Sequence, residues 1–513
     1  MPIDAFRIQN FMGFEDSSWI EFRPITLLFG RNSSGKSAIL RSLLLLKQSL
    51  DSPSRYGPLL FVDDEGLDFG DFEAIVFNHE VERIITFGFR HSYTKSPDVW
   101  FELLSEPEFR DSEFMFESRD DDDDGLVRLL STLSNLAIDI KLVGDEENVL
   151  SIYTELSFKK GDNSSQASFY AITLRNAKDE VILSLTEDKG KASGWKADSD
   201  LIELTEKEWD YVDLSFHQGF FPQISIGTEF FDPKDSSGID NYTFDSIGSV
   251  RSIYSVLYPE FLSWLDLKYL GPLRPAPQRF YYSAGQSRSN SASADVVQAY
   301  LDSATDPQVD QKLQKVQQWL RECLGVTFSV ELIGESQKHL YEIVFHEENM
   351  GGVSAGIREV GSGLSQVLPV LIAAMLAPEG TLVVIEQPEL HLHPKAQAAL
   401  ADLFIIAANS GVRFLIETHS EHLLLRTRLR VVETTARQVV DADNELHLDS
   451  ESVLILFADR ISTVSFLQSI ELDQLGDYQS MTDDLREFFA QDMDDILKLN
   501  QAARIARKQE EVL

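Results

Sequence analysis

The chain has 513 residues, enough for two or three domains at roughly 150 residues each, and 43% hydrophobic residues, enough to bury real cores. Its one cysteine, Cys323, excludes an internal disulfide framework and a Cys-x-x-Cys zinc hook, and fits a reducing cytosol. With 84 acidic and 45 basic residues the formal net charge is −39, so most of the surface repels nucleic acid.

The first elements are predicted to be strands followed by a buried helix. Residues 6–11 and 19–22 have the pattern of a short antiparallel pair, and residues 25–29 form a short apolar run typical of a buried central strand. After a loop with glycines, the leucine-rich residues 38–50 predict a buried helix. The start lacks a basic region followed by an apolar core, and no apolar run approaches about 18 residues. We therefore expect no signal peptide, no membrane contact and a cytoplasmic location.

The middle of the chain has a different character. From about residue 93 to 261, alternating stretches such as 151–158 and 169–174 predict an antiparallel sheet with polar loops. We interpret this part as a large β-rich insertion. The predicted elements after it are a strand and turn at 267–274, helices at 294–302 and 309–322, and a strand pair at 326–333 and 340–346.

Buried strands alternate with helices again from near residue 361. Residues 364–376 predict an apolar helix, 381–385 and 412–416 predict apolar strands, and the tail after Met481 has a helical pattern. The fold class is thus α/β, a mixed sheet with flanking helices assembled from both ends of the chain. The predicted division is 1–95 (first part of the main α/β domain), 96–260 (insertion), 261–345 (connecting region), 346–470 (second part of the main α/β domain) and 471–513 (helical tail).

Residues 30–37, Gly-Arg-Asn-Ser-Ser-Gly-Lys-Ser, match the phosphate-loop pattern G-x-x-x-x-G-K-[ST] at every fixed position. Such a loop wraps a phosphate, and the N–H groups at the helix start point at the anion. An ordinary glycine turn is the alternative, but the position between an apolar strand and a helix argues against it. Lys36 is expected to reach the β- and γ-phosphates of ATP, and the Ser37 hydroxyl to bind Mg²⁺. The expected nucleotide contacts are Gly30, Asn32, Ser33, Ser34, Gly35, Lys36, Ser37 and Ala38.

The predicted apolar strand Leu-Val-Val-Ile-Glu ends with an acidic residue, Glu386. A carboxylate at the end of a strand beside a phosphate loop is suited to hold magnesium. An isolated acid at such a position would be weak evidence. The phosphate loop, together with Gln387-Pro388-Glu389 directly after, makes Glu386 the predicted magnesium residue.

A second helix start, Gly-Ser-Gly-Leu-Ser-Gln at residues 361–366, precedes an apolar helix. Small residues and hydroxyls at a helix start favour an anion, and the chain has no second phosphate loop. Ser362 and Gly363 are therefore expected to serve the γ-phosphate bound to a neighbouring copy. The alternative is a simple capped helix.

Polar groups also end the strand that leads to Glu417, Thr418 and His419. His419 is expected near the γ-phosphate or the attacking water. A metal site made of His391, His393, His419 and His422 is the weaker interpretation, because their spacing matches no common zinc pattern.

Local basic patches are the places where DNA contact is conceivable on so acidic a chain. The candidates are Arg426, Arg428, Arg430 and the stretch 504–508, although a solvated helix face is the favoured interpretation. The acidic run 120–124 is expected to be an exposed loop, with a partner-binding role as the alternative.

These motifs together resemble the ABC-type ATPases of the SMC, RecF and OLD class. More specifically, the chain is similar to bacterial AAA family ATPases of the AAA-fifteen or AAA-twenty-one type, which carry a C-terminal domain of unknown function. The residues that carry the resemblance are 6–11, 30–37, 269–274, 361–369, 385–394 and 417–426. The insertion matches nothing in this class.

The resemblance implies a P-loop ATPase head that pairs with a second head and sandwiches two ATP molecules. Ser362 matches the serine that completes the partner's site. These ATPases commonly place a catalytic glutamate where this chain has Gln387, and a carboxamide does not accept a proton. Glu389 or Glu417 is then the expected base, or hydrolysis is slow and ATP acts as a clamp. His393 takes the place of the usual aspartate at the dimer-facing loop.

Three functions compete. The leading hypothesis is an ATPase switch or sensor that acts with a separate effector such as a nuclease, as the resemblance to anti-phage defence ATPases implies. A DNA repair ATPase of the RecF type is the alternative, against which the acidic charge and the absence of a long heptad stretch count. A transporter subunit fits less well. Asp441 and Asp443 resemble the acidic pair of the OLD nuclease, but their polar surroundings argue against an intrinsic nuclease.

Overall fold

A computed structural model describes the greater part of the chain. The described residues are 3–51, 58–62, 67–93, 150–161, 166–190, 195–200, 212–218, 221–226, 267–272, 274, 276–282, 292–333, 340–347, 354–437 and 445–479. Several predicted features lie outside them, namely the acidic run 120–124, Asp441 and Asp443, the stretch 504–508 and the tail after Met481.

The helices and strands of the described residues are numbered in chain order. The helices are α1 (Lys36–Asp51), α2 (Phe72–Ile75), α3 (Ala292–Ser303), α4 (Pro307–Leu324), α5 (Ser362–Leu376), α6 (Pro394–Ala408) and α7 (Glu421–Arg437). The strands of the first half are β1 (Ala5–Phe11), β2 (Phe14–Asp16), β3 (Ile20–Glu21), β4 (Ile25–Gly30), β5 (Ile85–Tyr93), β6 (Leu150–Lys160), β7 (Ala167–Asn176), β8 (Val181–Glu187), β9 (Trp195–Asp198), β10 (Val212–Gln218) and β11 (Phe221–Ile226). Those of the second half are β12 (Lys268–Leu270), β13 (Tyr281–Tyr282), β14 (Val326–Leu332), β15 (Leu340–Glu347), β16 (Ser354–Gly356), β17 (Leu382–Glu386), β18 (Arg413–Glu417), β19 (Val453–Ile461) and β20 (Val464–Ile470).

The central sheet joins the two ends of the chain, as the sequence predicts. Its strand order is β12-β17-β18-β4-β19-β20, and every neighbouring pair is parallel except β19 with β20. Strand β4 from the N-terminal end thus lies between two strands from the C-terminal half. All six residues of β4 are buried, because helices or a second sheet cover both faces.

Two hydrophobic cores lie on the two faces of this sheet. Alternate residues of β4 point to opposite sides, so Leu28 joins the core beneath α1 and Leu27 joins the core beneath α5 and α6. Strand β17 divides in the same way, with Val384 in the first core and Ile385 in the second. The apolar runs without alternation are therefore explained by burial on both faces.

An antiparallel sheet closes the first core. Its order within the described residues is β2-β1-β5-β6-β7-β8-β9, and β3 also pairs with β1. Strands β6 to β9 fall within the predicted insertion, yet they extend the sheet that β1 and β5 begin. The described part of the insertion is thus built onto the N-terminal strands through the pairing of β5 with β6.

The connecting region packs on the second core. Helix α4 begins after Asp306, whose carboxylate accepts hydrogen bonds from the N–H groups of Gln308 and Val309, and it ends at Gly325 with a φ of 72°. Strand β15 runs unbroken from Leu340 to Glu347 and so crosses the predicted boundary between residues 345 and 346, and the division into domains stays a prediction. The boundaries near 95 and 260 lie outside the described residues. Among the described helices, none combines the length and the apolar character needed to cross a bilayer.

Candidate nucleotide-binding site

The phosphate loop connects β4 to α1 and depends on two glycines. Gly30 has a φ of +148°, and a Cβ there would lie 2.2 Å from the main-chain oxygen of Ala458. Gly35 has a φ of +104°, and its Cβ would lie 2.7 Å from Ser465 Oγ. Between them Ser33 also has a positive φ of 63°. Neither glycine position accepts a side chain without displacement of its neighbours, which explains the glycines of the motif.

The start of helix α1 offers an environment suited to an anion. This 16-residue helix has no acidic residue in its first turn, so the positive end of its dipole is not neutralised there. Ser37 is exposed at the start of the helix, as are Asn32 and Ser33 in the loop. Ser34 Oγ is buried and has no hydrogen-bond partner among the described residues. An unpartnered hydroxyl in a loop of this shape fits a phosphate oxygen.

Lys36 directs its charge to the inner side of the loop. Its Nζ donates hydrogen bonds to the main-chain oxygens of Gly30 at 2.9 Å and Arg31 at 3.0 Å, and it lies 4.0 Å from Glu417 Oε1. Burial lowers the pKa of Lys36, and Glu417 opposes that shift. The loop thus holds a cation beside a carboxyl group.

Three neighbouring parallel strands bring the acidic residues to this loop. Glu386 at the end of β17 lies opposite Glu417 at the end of β18, and Glu417 lies opposite Leu28 of β4. The carboxyl ends of these strands form the edge from which the phosphate loop departs. Residues from three distant parts of the sequence therefore meet at one edge, which is where ligands of open α/β sheets bind.

Close approach of carboxyl groups makes Glu417 harder to ionise. Burial raises its pKa to about 7, the neighbouring Glu386 and Glu389 add to the shift, and Lys36 opposes it. Burial also raises the pKa of Glu386, although a hydrogen bond from Tyr269 acts in the other direction. A group that titrates near neutrality at such an edge is suited to proton transfer.

Glu389 is engaged elsewhere. One of its carboxylate oxygens accepts a hydrogen bond from the main-chain N–H of His419 at 2.7 Å, which ties the loop after β17 to the loop after β18. Burial raises the pKa of Glu389, and the hydrogen bond from His419 opposes the shift. The side chain of His419 is largely exposed, and the part of the ring that is buried, together with Lys36, lowers its pKa. Glu389 thus helps to fix the main chain at His419.

Gln387 has an unusual backbone. Its φ is +45°, a conformation that non-glycine residues rarely adopt, and its N–H donates to the main-chain oxygen of Glu417 at 2.7 Å. Its side chain makes no hydrogen bond within the described part of the chain. The carboxamide therefore stays available at the strand edge.

Tyr269 and Arg274 belong to the site and were not among the predicted site residues. The Tyr269 hydroxyl donates to Glu386 Oε1 at 2.6 Å, and Arg274 Nη2 donates to the main-chain oxygen of Glu386 at 3.2 Å. Burial and Glu386 raise the pKa of Tyr269, so the phenol remains the donor. The available signal was a strand with a polar residue, followed by a turn and an arginine, at residues 267–274.

Residues 25–426 match the protein family described as "AAA domain, putative AbiEii toxin, Type IV TA system". The chain belongs to this AAA family. The match includes the phosphate loop, Glu386 and Glu417, so it spans the residues that the geometry brings together. No curated protein matches the chain.

Solved structures similar to this AAA protein include SMC head domains, all at 9% sequence identity. The SMC head domain from Thermotoga maritima has a TM-score of 0.34, with 92% of this chain and 100% of that chain covered. A structure of the SMC head bound to the C-winged helix domain of ScpA has a TM-score of 0.37, with 92% and 99% covered. An SMC head with an extended coiled coil, bound to the C-terminal domain of ScpA derived from Pyrococcus furiosus, has a TM-score of 0.35, with 98% and 99% covered. At these TM-scores the likeness carries no argument about function.

The donor set of this AAA domain fits magnesium. Mg²⁺ bound with a nucleotide usually takes one or two protein oxygens, and phosphates and water supply the rest. The Ser37 hydroxyl and the Glu386 carboxylate are oxygen donors of this kind. The described residues contain no group of three or more His, Cys, Asp or Glu that could hold a metal ion, so the four histidines show no such cluster.

The start of helix α5 lies beside another loop of the AAA domain. Ser362 is its first residue and is exposed, and a Cβ at Gly363 would lie 2.9 Å from the main-chain oxygen of His391. In the described part of the chain, no side-chain hydrogen bond or ion pair joins Ser362 or Gly363 to the phosphate loop. His393 caps the start of α6, where its Nδ1 accepts a hydrogen bond from Ala396 N at 3.3 Å.

Proposed function

We propose that the chain binds ATP with Mg²⁺ at this sheet edge and hydrolyses the γ-phosphate bond slowly. The observation that carries the proposal is the meeting of the phosphate loop, Glu386 and Glu417 on three neighbouring parallel strands. Lys36 and the loop N–H groups hold the phosphates, while Ser37 and Glu386 hold the magnesium, which screens phosphate charge when bound. His419, exposed beside this edge, contacts the γ-phosphate or the attacking water.

Glu417 is the proposed base. Of the acidic residues that follow the strands, Glu389 is engaged by the His419 N–H, and Glu386 is assigned to the metal. Glu417 Oε1 lies 4.0 Å from Lys36 Nζ, the cation expected at the γ-phosphate. Both Glu389 and Glu417 have a second carboxylate oxygen that is buried and unpartnered among the described residues, so the approach to Lys36 is what favours Glu417. Gln387 orients the attacking water without accepting its proton.

Slow turnover follows from this arrangement. The position at which these ATPases commonly place the catalytic glutamate holds Gln387, so the proposed base acts from the neighbouring strand and not from the usual position. A positioned base is typically worth about 10²–10⁴ in rate, so a base that is less well placed lengthens the ATP-bound state. Such persistence suits a switch better than a motor.

A second copy of the chain is the proposed partner at Ser362. The exposed start of α5 has small residues and free N–H groups, and no side-chain contact within the described residues ties it to its own phosphate loop. Two heads placed face to face would each offer Ser362 to the other's ATP. The ATP-bound dimer, or a higher oligomer with the same head-to-head pairing, is then the active form of the switch.

The biological setting is proposed from the family. Its description names the AbiEii toxin and a type IV toxin–antitoxin system, which fits a cytoplasmic anti-phage defence switch that controls a separate effector such as a nuclease. Direct DNA clamping is disfavoured, because the candidate arginines within the described residues are paired with acids. Arg430 forms a bidentate pair with Asp402, Arg428 lies 3.3 Å from Asp477, and Arg426 lies 3.8 Å from Asp402.

A binding assay tests the proposed function. Lys36→Ala should abolish binding of a fluorescent ATP analogue, whereas Glu386→Gln should retain binding and lose hydrolysis. Lys47→Ala is the matched control, since Lys47 lies on the same helix and pairs with Asp51. Unchanged affinity in the Lys36 variant would refute the site. Gel shifts with duplex DNA at low and moderate salt test the alternative, and tight binding at moderate salt would favour it.

A further inference from the structure

Two residues that follow the insertion hold Glu386, one at its carboxylate and one at its main-chain oxygen. Tyr269 donates its hydroxyl to the carboxylate, and Arg274 donates a guanidinium N–H to the main-chain oxygen of the same residue. One oxygen of the carboxylate is thereby fixed in direction, which leaves Oε2 as the oxygen available to a metal-bound water. Neither Tyr269 nor Arg274 belongs to a motif that the proposed function uses.

The sheet fixes the position of Tyr269. Strand β12 is parallel to β17, with Tyr269 opposite Val384 and Leu270 opposite Ile385. The phenol turns back over Gly271, where an added Cβ would lie 3.0 Å from its hydroxyl oxygen. The hydrogen bond to Glu386 therefore comes from a residue anchored in the central sheet and not from a loose loop.

Gln366 ties Arg274 to helix α5. Its side-chain oxygen accepts from Arg274 N at 3.2 Å, and its side-chain nitrogen donates to Arg274 O at 3.3 Å. Gln366 stands four residues after Ser362, so both lie on the same side of the helix, one turn apart. A continuous set of contacts thus leads from the exposed start of α5 through Arg274 to Glu386.

The buried position of Arg274 is unfavourable for a charged side chain. Its side chain is 7% exposed, and Nε and Nη1 have no hydrogen-bond partner among the described residues. A buried guanidinium that makes so few contacts is unfavourable for folding unless nearby charge compensates. The compensating group is Glu389, which belongs to the same acidic edge. The guanidinium of Arg274 is thus positioned to interact with Glu389 and to donate a hydrogen bond to the main-chain oxygen of Glu386.

We propose that Tyr269 and Arg274 are positioning residues for Glu386, and that Gln366 couples Arg274 to helix α5. A second copy that engages Ser362 would then act through Arg274 on the main chain of the residue that holds the magnesium. This inference rests on the proposed function in two respects, the assignment of Glu386 to the metal and the engagement of Ser362 by a second copy.

Metal binding provides the first test. The Mn²⁺ affinity of the full chain is measured by electron paramagnetic resonance with a non-hydrolysable ATP analogue present. Tyr269→Phe removes one hydroxyl and keeps the ring, and loss of such a supporting hydrogen bond is expected to weaken Mn²⁺ about tenfold. Affinity for the analogue without metal should stay within about twofold of wild type, because the loop supplies those contacts. Tyr341→Phe, on β15, is the matched control and should leave both affinities unchanged.

A double-mutant cycle tests the coupling. Gln366→Ala and Tyr269→Phe should each lower the hydrolysis rate, and the double variant should be little slower than the slower single variant, since both act through Glu386. Equal Mn²⁺ affinity of wild type and Tyr269→Phe, or fully additive rate effects, would overturn the proposal. These outcomes differ from failure of the proposed function, in which the wild-type chain itself shows no metal-dependent ATP hydrolysis.

Discussion

Replacement of Glu417 by glutamine should change how the stability of the protein depends on pH. Burial raises the pKa of this carboxyl group from its usual 4.5 to about 7, and its side chain is only 6% exposed. Between these two pH values the folded chain holds a proton that the unfolded chain has released. The stability contributed by this proton is therefore complete below pH 4.5 and is lost as the pH rises to about 7.

The magnitude follows from the interval between the two pKa values. One pH unit corresponds to about 1.4 kcal/mol, so an interval of about 2.5 units amounts to on the order of 3 kcal/mol. Glu417→Gln removes the titration and keeps the shape of the side chain. The variant should match the wild type near pH 4.5 and exceed its unfolding free energy by up to about 3 kcal/mol at pH 8.

Urea unfolding at pH 5 and pH 8 measures this difference, with Glu451→Gln as the control at an exposed glutamate. The same variant should bind ATP and hydrolyse it at least about 100-fold more slowly, because the proposed base is gone. In the wild type, hydrolysis should increase as the pH rises through about 7, where Glu417 ionises. Parallel pH profiles for the unfolding of the wild type and the Glu417 variant would refute the buried-carboxyl argument, and full hydrolysis by the variant would refute the base.

Further predictions concern the other residues of the site. Gln387→Glu should raise single-turnover hydrolysis at least about tenfold by supplying a carboxylate at the water, and no gain over an already fast wild type would disprove the slow switch. Ser362→Arg should bind ATP yet fail to pair in sedimentation and hydrolyse poorly, and full activity of this variant alone would exclude the composite site. Gly30→Ala should lower stability by about 1–3 kcal/mol or more, owing to its positive φ and the contact with Ala458. Gly361→Ala, with nothing within 4 Å of its Cβ, should be nearly neutral in the same unfolding assay.

The elements near the site could be predicted because their signals are local. A glycine-rich loop between an apolar strand and a leucine-rich helix has one common interpretation, and helix α1 begins at Lys36, two residues before the predicted start at residue 38. The acids that end β17 and β18 were recognisable for the same reason, since each follows a short apolar run. Helix and strand patterns elsewhere, such as β14 with β15, were equally local.

The choice among the carboxylates could not be made from the sequence. Glu417 ends β18 and Glu389 lies in the loop after β17, and both are candidates for the base from the sequence. Their difference lies in hydrogen bonding, because Glu389 accepts the His419 N–H and Glu417 approaches Lys36. Those contacts depend on which strands are neighbours, and that order is set by packing across the whole sheet.

The sequence by itself determined that the chain has a phosphate loop and a strand-end acid at Glu386, because each depends on a local pattern of glycines, apolar runs and polar ends. Only the tertiary structure decided that Tyr269 and Arg274 hold Glu386, and that strands β6 to β9 extend the sheet of β1 and β5. Pairing of this kind joins residues more than 50 positions apart, as between β5 and β6, or more than 100, as between Tyr269 and Glu386. Such contacts are selected by shared burial and hydrogen bonding in the folded chain, for which a local sequence pattern contains no signal.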